Sequence, residues 1–208
     1  MPELSRYRWT IPILAQLART DGSRFVPLAV ALGLSRDALR QTLDALIDLG
    51  LVTPNPGYGH PTRPEYILTE DGRHVAPSCA KLVRHVQEYG LDPVAYKKWS
   101  LPTVAALSRP RRYGELRREV GATPRAMILV LKDLVVADVV ERRVHDEFPP
   151  RTSYRLTRLG RSLRTRVMRI EGALEDIALD LAGVRRREVD RQTRKRAHKA
   201  EMRSKQQA

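Results

Sequence analysis

The sequence is poor in cysteine, in aromatic residues and in long apolar stretches. Its 208 residues include a single cysteine, Cys79, and only 5% aromatic side chains. One cysteine cannot form an intramolecular disulfide, and no apolar run approaches the roughly 18 to 20 residues that a membrane-spanning helix requires. The N-terminus, MPELSRYRWT, also lacks the apolar core of a signal peptide. We therefore expect a globular cytoplasmic protein, neither secreted nor membrane-spanning.

Acidic side chains are scarce relative to basic ones. The chain has 38 Lys and Arg against 24 Asp and Glu, a formal net charge of +14, which indicates an acidic partner. Residues 1–90 carry 10 basic and 9 acidic side chains, residues 91–183 carry 18 and 12, and residues 184–208 carry 10 and 3. The last segment has almost no large apolar residues, so we expect a basic, disordered tail. Such a tail either binds polyanions or only solubilises the chain.

An internal repeat divides the rest of the chain. The segment RWTIPILAQLA from Arg8 is matched by KWSLPTVAALS from Lys98, and beyond Phe25 the offset between the copies is 88 residues. The matched pairs include Ser35 with Thr123, Leu43 with Leu131, Arg63 with Arg151, Tyr66 with Tyr154 and Gly72 with Gly160. We therefore predict two copies of one module, at residues 1–90 and 91–183, followed by the tail at 184–208.

Each copy has the same predicted order of elements. In the first copy, apolar residues at helical spacing precede a short helix that ends at Gly33. Ser35 is a good N-cap for the next helix, which ends at Gly50. Two short strands joined by a proline-rich loop follow, and then a further helix, which in the second copy continues past Leu181. The sequence thus predicts a mainly α fold with small β wings: tandem winged helix-turn-helix domains, a long C-terminal helix and the tail.

Five segments of the second copy carry a family resemblance. They are KW at 98–99, RYGEL at 112–116, FPP at 148–150, YRLT at 154–157 and LGRSL at 159–163. At these residues the chain resembles an HxlR-type transcriptional regulator, whereas the first copy matches at fewer positions and its wing, TPNPGYGHPTRP, departs from the family pattern. The resemblance implies a winged helix whose third helix lies in the DNA major groove. Family members are typically single-module homodimers, so a tandem chain is similar to a fused dimer.

The two predicted third helices differ in the groups they offer to DNA. In the first copy Arg36, Arg40 and Gln41 lie opposite the apolar face, and arginine and glutamine can hydrogen-bond to guanine and adenine edges. The candidate DNA-binding residues of the first copy are Ser35, Arg36, Arg40, Gln41 and the wing residue Arg63, and those of the second are Arg111, Arg112, Arg125, Lys132 and Arg151. Our hypothesis is that the first module reads bases, while the second module and the tail contact the phosphate backbone.

Two apolar features indicate interfaces. Ile128 and Leu129 replace Arg40 and Gln41 in the second copy, so they pack against the other module or a second chain, or they contact thymine methyl groups. The predicted C-terminal helix carries an apolar stripe that covers its own module or forms a homodimer. The stripe includes Leu163, Val167, Ile170, Leu174 and Ile177.

The sequence offers no motif for catalysis, a metal or a cofactor. Its five histidines and Cys79 lack metal-ligand spacing, so no metal or cofactor is expected. Cys79 is interpreted as a small buried side chain in preference to a redox sensor. Trp9 and Trp99 are interpreted as core or interface residues more readily than as ligand-stacking groups.

The predicted function is therefore sequence-specific regulation of transcription on double-stranded DNA, by a nucleoid-associated homodimer without enzymatic activity. A tandem winged-helix scaffold of chromosome organisation and a plasmid-type replication initiator are the alternatives. The target operators, any small-molecule effector and the choice between activation and repression do not follow from the sequence.

Overall fold

The computed structural model describes residue 4 and residues 8–55, 65–146, 151–180 and 182. The predicted tail, most of the first wing loop and the tip of the second lie outside these residues. The chain divides into two compact units, residues 1–171 and 172–208. The first unit contains the first module and the second module as far as residue 171, and the second unit contains the last described helical turns. The predicted module boundaries at 90/91 and 183/184 stay predictions.

The first module is a helical bundle with a small sheet. Its elements are α1 (Thr10–Thr20), β1 (Ser23–Arg24), α2 (Phe25–Leu32), α3 (Arg36–Asp48), β2 (Val52–Asn55), β3 (Glu65–Leu68) and α4 (Glu70–Glu88). The αL glycine Gly33 ends α2, and the Ser35 hydroxyl accepts a hydrogen bond from the Ala38 amide to cap α3. These two signals confirm the predicted helix-turn-helix.

The second module repeats this order. After the short helix α5 (Asp92–Ala95), its elements are α6 (Ser100–Ala106), β4 (Arg111–Arg112), α7 (Tyr113–Val120), α8 (Pro124–Val136), β5 (Val140–His145) and β6 (Arg151–Leu156). Residues 158–180 are helical and are called α9; residue 182 is helical too. The bounds of α2 and α7, and of α3 and α8, differ by 88 residues, the offset of the sequence repeat.

Each module has a three-stranded antiparallel sheet, one strand more than the predicted two-stranded wing. The strand orders are β1-β3-β2 and β4-β6-β5. The additional strand has two residues, and Ser23 pairs with Tyr66 as Arg111 pairs with Tyr154. Two residues are too few for an alternating pattern, so sequence periodicity could not reveal β1 or β4.

A glycine holds each wing close to the helix that follows it. A Cβ on Gly72 would lie 1.9 Å from the Leu51 carbonyl oxygen, and one on Gly160 would lie 2.0 Å from that of Val139. The Thr69 and Thr157 amides donate to these same two carbonyl oxygens, each at 3.1 Å. The contact therefore requires glycine in both copies, which explains the repeated Gly72–Gly160 pair.

The core of each module lies beneath its third helix. Leu39, Leu43 and Leu46 of α3 are almost fully buried, as are the matching Met127, Leu131 and Leu134 of α8. Because side chains three and four residues apart share one face of a helix, burying these residues directs the opposite face of α3 and α8 to solvent.

Candidate nucleic-acid interface

The exposed face of α3 presents the predicted base-reading groups. Arg36, Arg40 and Gln41 are exposed, and none makes an ion pair with another described residue. They occupy the N-terminal half of the helix, the part of a recognition helix that contacts base edges in helix-turn-helix proteins. Exposed Asp44 and Asp48 lie in its C-terminal half, so the sign of the charge changes along α3. Ser35 serves as the N-cap, so its hydroxyl is engaged by the helix itself.

The wing is anchored beside this helix by an aromatic side chain. Tyr66 of β3 lies near the ring of Phe25, with a centroid separation of 6.5 Å. Burial raises the pKa of Tyr66, and Asp44 raises it further while Arg40 opposes the shift. Arg40 and Asp44 therefore lie close enough to the base of the wing to act on the Tyr66 hydroxyl. The wing residue Arg63 lies outside the described residues.

The matching face of α8 is apolar. Ile128 is 58% exposed, Leu129 is 52% exposed and Val136 is 80% exposed. The first module therefore does not cover Ile128 and Leu129, and of the predicted partners only a second chain or thymine methyl groups stay open. Arg125 and Lys132 are exposed on the same helix. Their charges remain available to phosphates, whereas base-edge hydrogen bonds have no donor at positions 128 and 129.

Not every arginine of the second module offers a free charge. Arg111 forms an ion pair with Glu119, and its side chain is only 18% exposed. Arg143 and Arg155 both contact the Glu141 carboxylate at 2.7 Å. The hydrogen bond from Arg143 has the largest effect in lowering the pKa of that carboxyl, and the one from Arg155 follows. By contrast, Arg112 is exposed and makes no ion pair with the described residues. Arg151 is exposed as well.

An exposed cation of the second wing is not among the predicted DNA-binding residues. Arg142 of β5 is exposed and makes no ion pair with the described residues. It adjoins Arg143, and the sequence does not show which of the two neighbours is paired with Glu141. Strand alternation was the available signal, since it places successive side chains on opposite faces of the sheet.

The apolar stripe of α9 has two parts. Leu163, Val167 and Ile170 are at most 1% exposed in the single chain. This part of the stripe is therefore buried without a second chain, as expected if α9 packs on its own module. Leu174 and Ile177, in the second unit, are partly exposed. Their assignment to a homodimer interface stays a prediction.

The structure buries the single cysteine within α4. Cys79 is fully buried, and burial raises its pKa to about 12, which keeps the thiol protonated. Among the described residues, no group of three His, Cys, Asp or Glu side chains could hold a metal ion. In the same part of the chain, every helix is too short or too polar to cross a membrane.

Together the repeated elements define a tandem winged helix-turn-helix protein, a fold whose third helix enters the major groove in the DNA-binding proteins that use it. The HxlR-like helix-turn-helix family matches this chain twice, at residues 5–92 and 94–177. The chain therefore belongs to that family, which confirms the resemblance and the fold predicted from the sequence.

Two curated relatives are HTH-type transcriptional regulators described as uncharacterized. One, from Mycobacterium tuberculosis, is 39% identical over 87 residues, which are 42% of this chain and 54% of the relative. Another, from Bacillus subtilis, is 29% identical over 85 residues, which are 40% of this chain and 68% of the relative. The chain thus spans about half the length of the mycobacterial relative.

Solved structures resemble one module at a time. The redox regulator HypR in its oxidized form is 30% identical, with a TM-score of 0.40 over 43% of this chain and 94% of the other. The reduced form of the regulator YodB from Bacillus subtilis is 24% identical, with a TM-score of 0.37 over 41% and 86% of the two chains. The family assignment rests on the sequence match and not on these likenesses.

Proposed function

We propose that this protein regulates transcription by binding specific double-stranded DNA sites, with the first module reading bases and the second module supplying contacts to the phosphate backbone. One observation carries the proposal. Arg36, Arg40 and Gln41 are exposed in the N-terminal half of α3, while the matching face of α8 carries Ile128 and Leu129. Only the first set can form bidentate hydrogen bonds with guanine and adenine edges.

The proposed backbone contacts come from the unpaired cations of the second module. Arg112, Arg125, Lys132 and Arg142 are exposed and make no ion pair with described residues. Phosphate contacts add salt-dependent affinity without reading sequence. The basic tail would add to this term, since 10 of its residues are Lys or Arg against 3 acidic ones.

The test is selection of bound sequences from random DNA with the full chain, followed by footprinting. We expect one enriched motif, with protection of promoter-like sites in genomic DNA. In titrations at several salt concentrations, Arg40→Ala should lower the preference for the motif, whereas Arg112→Ala with Arg142→Ala should weaken selected and unselected DNA alike. Equal behaviour of the two variants would refute the division between the modules.

We also propose that a second chain covers Ile128 and Leu129, because exposed apolar patches of this kind usually mark interfaces. Light scattering should give the mass of a dimer, and Ile128→Gln with Leu129→Gln should give that of a monomer. An unchanged mass in the variant would leave thymine methyl groups as the partner of these side chains.

The same apolar pair supports a second candidate function, a tandem winged-helix scaffold of chromosome organisation that binds other proteins. Sequence selection separates the candidates. A scaffold predicts no enriched motif, and a replication initiator predicts tandem repeats at an origin in place of dispersed promoter sites.

A further inference from the structure

A cleft of about 810 Å³ opens in the first module, away from the exposed face of α3. It lies between α1, α2 and α4, and Asp92 and Tyr96, at the two ends of α5, also line it. Its lining includes Arg8, Trp9, Arg19, Arg84, Asp92 and Tyr96. Its volume falls in the range of roughly 300 to 1,000 Å³ that is typical of small-molecule sites.

The cleft has an excess of positive charge. Three arginines, Arg8, Arg19 and Arg84, line it against one carboxylate, Asp92. Arg19 donates to the Gln16 side-chain oxygen at 3.1 Å, and the Arg8 guanidinium lies 5.0 Å from the Trp9 ring centroid. Arg84 makes no ion pair with another described residue. A carboxylate is the natural partner of such guanidinium groups, because it can accept two hydrogen bonds from one of them.

The rest of the lining suits a flat apolar group. The Trp9 ring is partly exposed beside four alanines, Ala15, Ala18, Ala31 and Ala80, whose short side chains leave room above the helices. Aromatic rings stack on exposed indole rings with additional stabilisation beyond the buried area. The walls therefore combine an anion-binding set with an aromatic surface.

The wall of the cleft near α5 includes a buried tyrosine. Tyr96 lines the cleft and is only 7% exposed, and its hydroxyl has no hydrogen-bond partner among the described residues. Burial, with Asp92 second, raises its pKa, so it remains a hydrogen-bond donor. The hydroxyl is shielded from solvent, so Tyr96 contributes a closed wall to the cleft and not a polar contact for a ligand.

The second copy provides an internal comparison. At the positions that match Ala31, Val83, Arg84 and Gln87, it has Glu119, Glu171, Gly172 and Glu175. The tryptophan is retained as Trp99, with Lys98 at 4.8 Å from its ring centroid. Three acidic residues and the loss of an arginine remove the anion-binding character from these positions. The positive cleft is therefore a property of the first copy and not of the shared fold.

We propose that this cleft binds a small aromatic carboxylate, held by Arg84 and Arg8 and stacked on Trp9. Binding needs no DNA, so its failure would leave the proposed DNA-binding function untouched. Because Ala31 and Leu32 of the wall belong to α2, the helix that precedes α3, a ligand here would contact the helix-turn-helix directly.

The experiment is a fluorescence titration of the full chain with benzoate. Trp9 and Trp99 are the two tryptophans, so a Trp99→Phe background makes Trp9 the reporter. We expect a saturable change with benzoate and none with benzylamine or inorganic phosphate. Arg84→Gln should weaken benzoate binding by about tenfold, as expected for the loss of one charged hydrogen bond.

The matched control is Lys81→Gln, which removes a charge from an exposed position of α4 outside the cleft. It should bind benzoate as the parent does. Arg8→Gln is the second test variant, and circular dichroism with thermal unfolding checks that each variant is folded. Absence of saturation, binding of phosphate or benzylamine as strong as that of benzoate, or equal weakening by Lys81→Gln would each overturn the proposal.

Discussion

The two modules share their internal contacts but differ in what they expose. Ser35 and Thr123 cap their helices with the same φ of −65° and ψ of 155°, and Arg73 and Arg161 donate to the Leu68 and Leu156 carbonyl oxygens at 2.9 and 3.0 Å. On the surface, Arg40 and Gln41 become Ile128 and Leu129. Packing constrains the caps and internal hydrogen bonds but not the exposed helix positions. A duplicated fold can therefore change its function at the surface while its core is kept.

The largest expected effect tests the shared contacts. Gly72→Ala and Gly160→Ala should each destabilise the protein by about 3 kcal/mol or more, because the new Cβ would overlap a backbone carbonyl oxygen. Urea unfolding measures this. Gly114→Ala is the control, since a Cβ there has open space, and it should be neutral or stabilising by up to about 1 kcal/mol. Tolerance of alanine in one module alone would show that the modules pack differently.

The second prediction tests the divergent faces. Arg40→Ala should weaken binding to the selected DNA site by about 1 to 3 kcal/mol, a loss of about fivefold to over a hundredfold, because a bidentate base contact is removed. Ile128→Ala, at the matching position, should weaken it by less than about threefold. Quantitative gel-shift titrations on selected and scrambled sites give both values. Equal losses at the two positions would remove the distinction between α3 and α8.

The third prediction concerns the two helix caps. Ser35→Ala and Thr123→Ala should each cost about 1 kcal/mol of stability, because each hydroxyl accepts a hydrogen bond from an amide at 3.3 Å. Chemical unfolding of both variants is the measurement. A cost more than twice as large in one module would show that tertiary surroundings, and not the cap itself, determine it.

The fourth prediction separates free from paired arginines within the second wing. Arg142→Ala should reduce the slope of log affinity against log salt by about 0.9, equivalent to about threefold in affinity between 50 and 200 mM salt. Arg143→Ala should change it less, because Arg143 contacts Glu141 at 2.7 Å. Arg111→Ala should chiefly affect stability, since Glu119 would lose its partner. A larger slope change for Arg143→Ala would contradict the assignment.

The smallest expected effect depends on pH and comes from a histidine of the first module. His85 is 3% exposed, and its ring lies 4.7 Å from that of Tyr89, measured between centroids. Burial is the main cause that lowers the pKa of His85, and the nearby charge of Arg166 lowers it further, whereas Glu88 opposes the shift. The unfolded chain therefore binds the proton more tightly. The contribution of His85 to the free energy of unfolding is fully present above about pH 6.5, the ordinary pKa of histidine. This contribution is lost as the pH drops below that value toward the folded-state pKa.

His85→Leu should reduce this acid-induced loss, as measured by thermal unfolding at several pH values. His74→Leu, at an exposed position of the same helix, is the matched control. The second copy has Ala173 at the position of His85, so no equivalent effect is expected there. An unchanged pH profile in His85→Leu would refute the role of this side chain.

Much of the fold followed from short-range signals. Gly33 and Ser35 mark the turn of the helix-turn-helix, and the 88-residue offset correctly related the elements of the two copies. These features are local because caps and turn residues act on the backbone within a few positions. The third strand of each sheet was missed, since a two-residue strand is defined by its distant partner, Tyr66 or Tyr154.

The candidate DNA-binding site was predictable in its helix and not in its charges. Amphipathic spacing was enough to place Arg36, Arg40 and Gln41 on the exposed face of α3. Whether Arg111, Arg143 and Arg155 have free charges depends on Glu119 and Glu141, and that pairing is set by tertiary contacts. A count of basic residues therefore overestimated the charge that the second module offers to phosphates.

The sequence by itself determined the duplicated fold, the family and the contrast between the faces of α3 and α8, because periodicity, caps and repeat register are properties of neighbouring residues. Only the tertiary structure decided which arginines are neutralised, that Cys79 is buried with its pKa raised to about 12, and that Arg8, Trp9, Arg84 and Tyr96 line one cleft. These outcomes depend on distances between residues far apart in the chain, and folding alone brings such residues together.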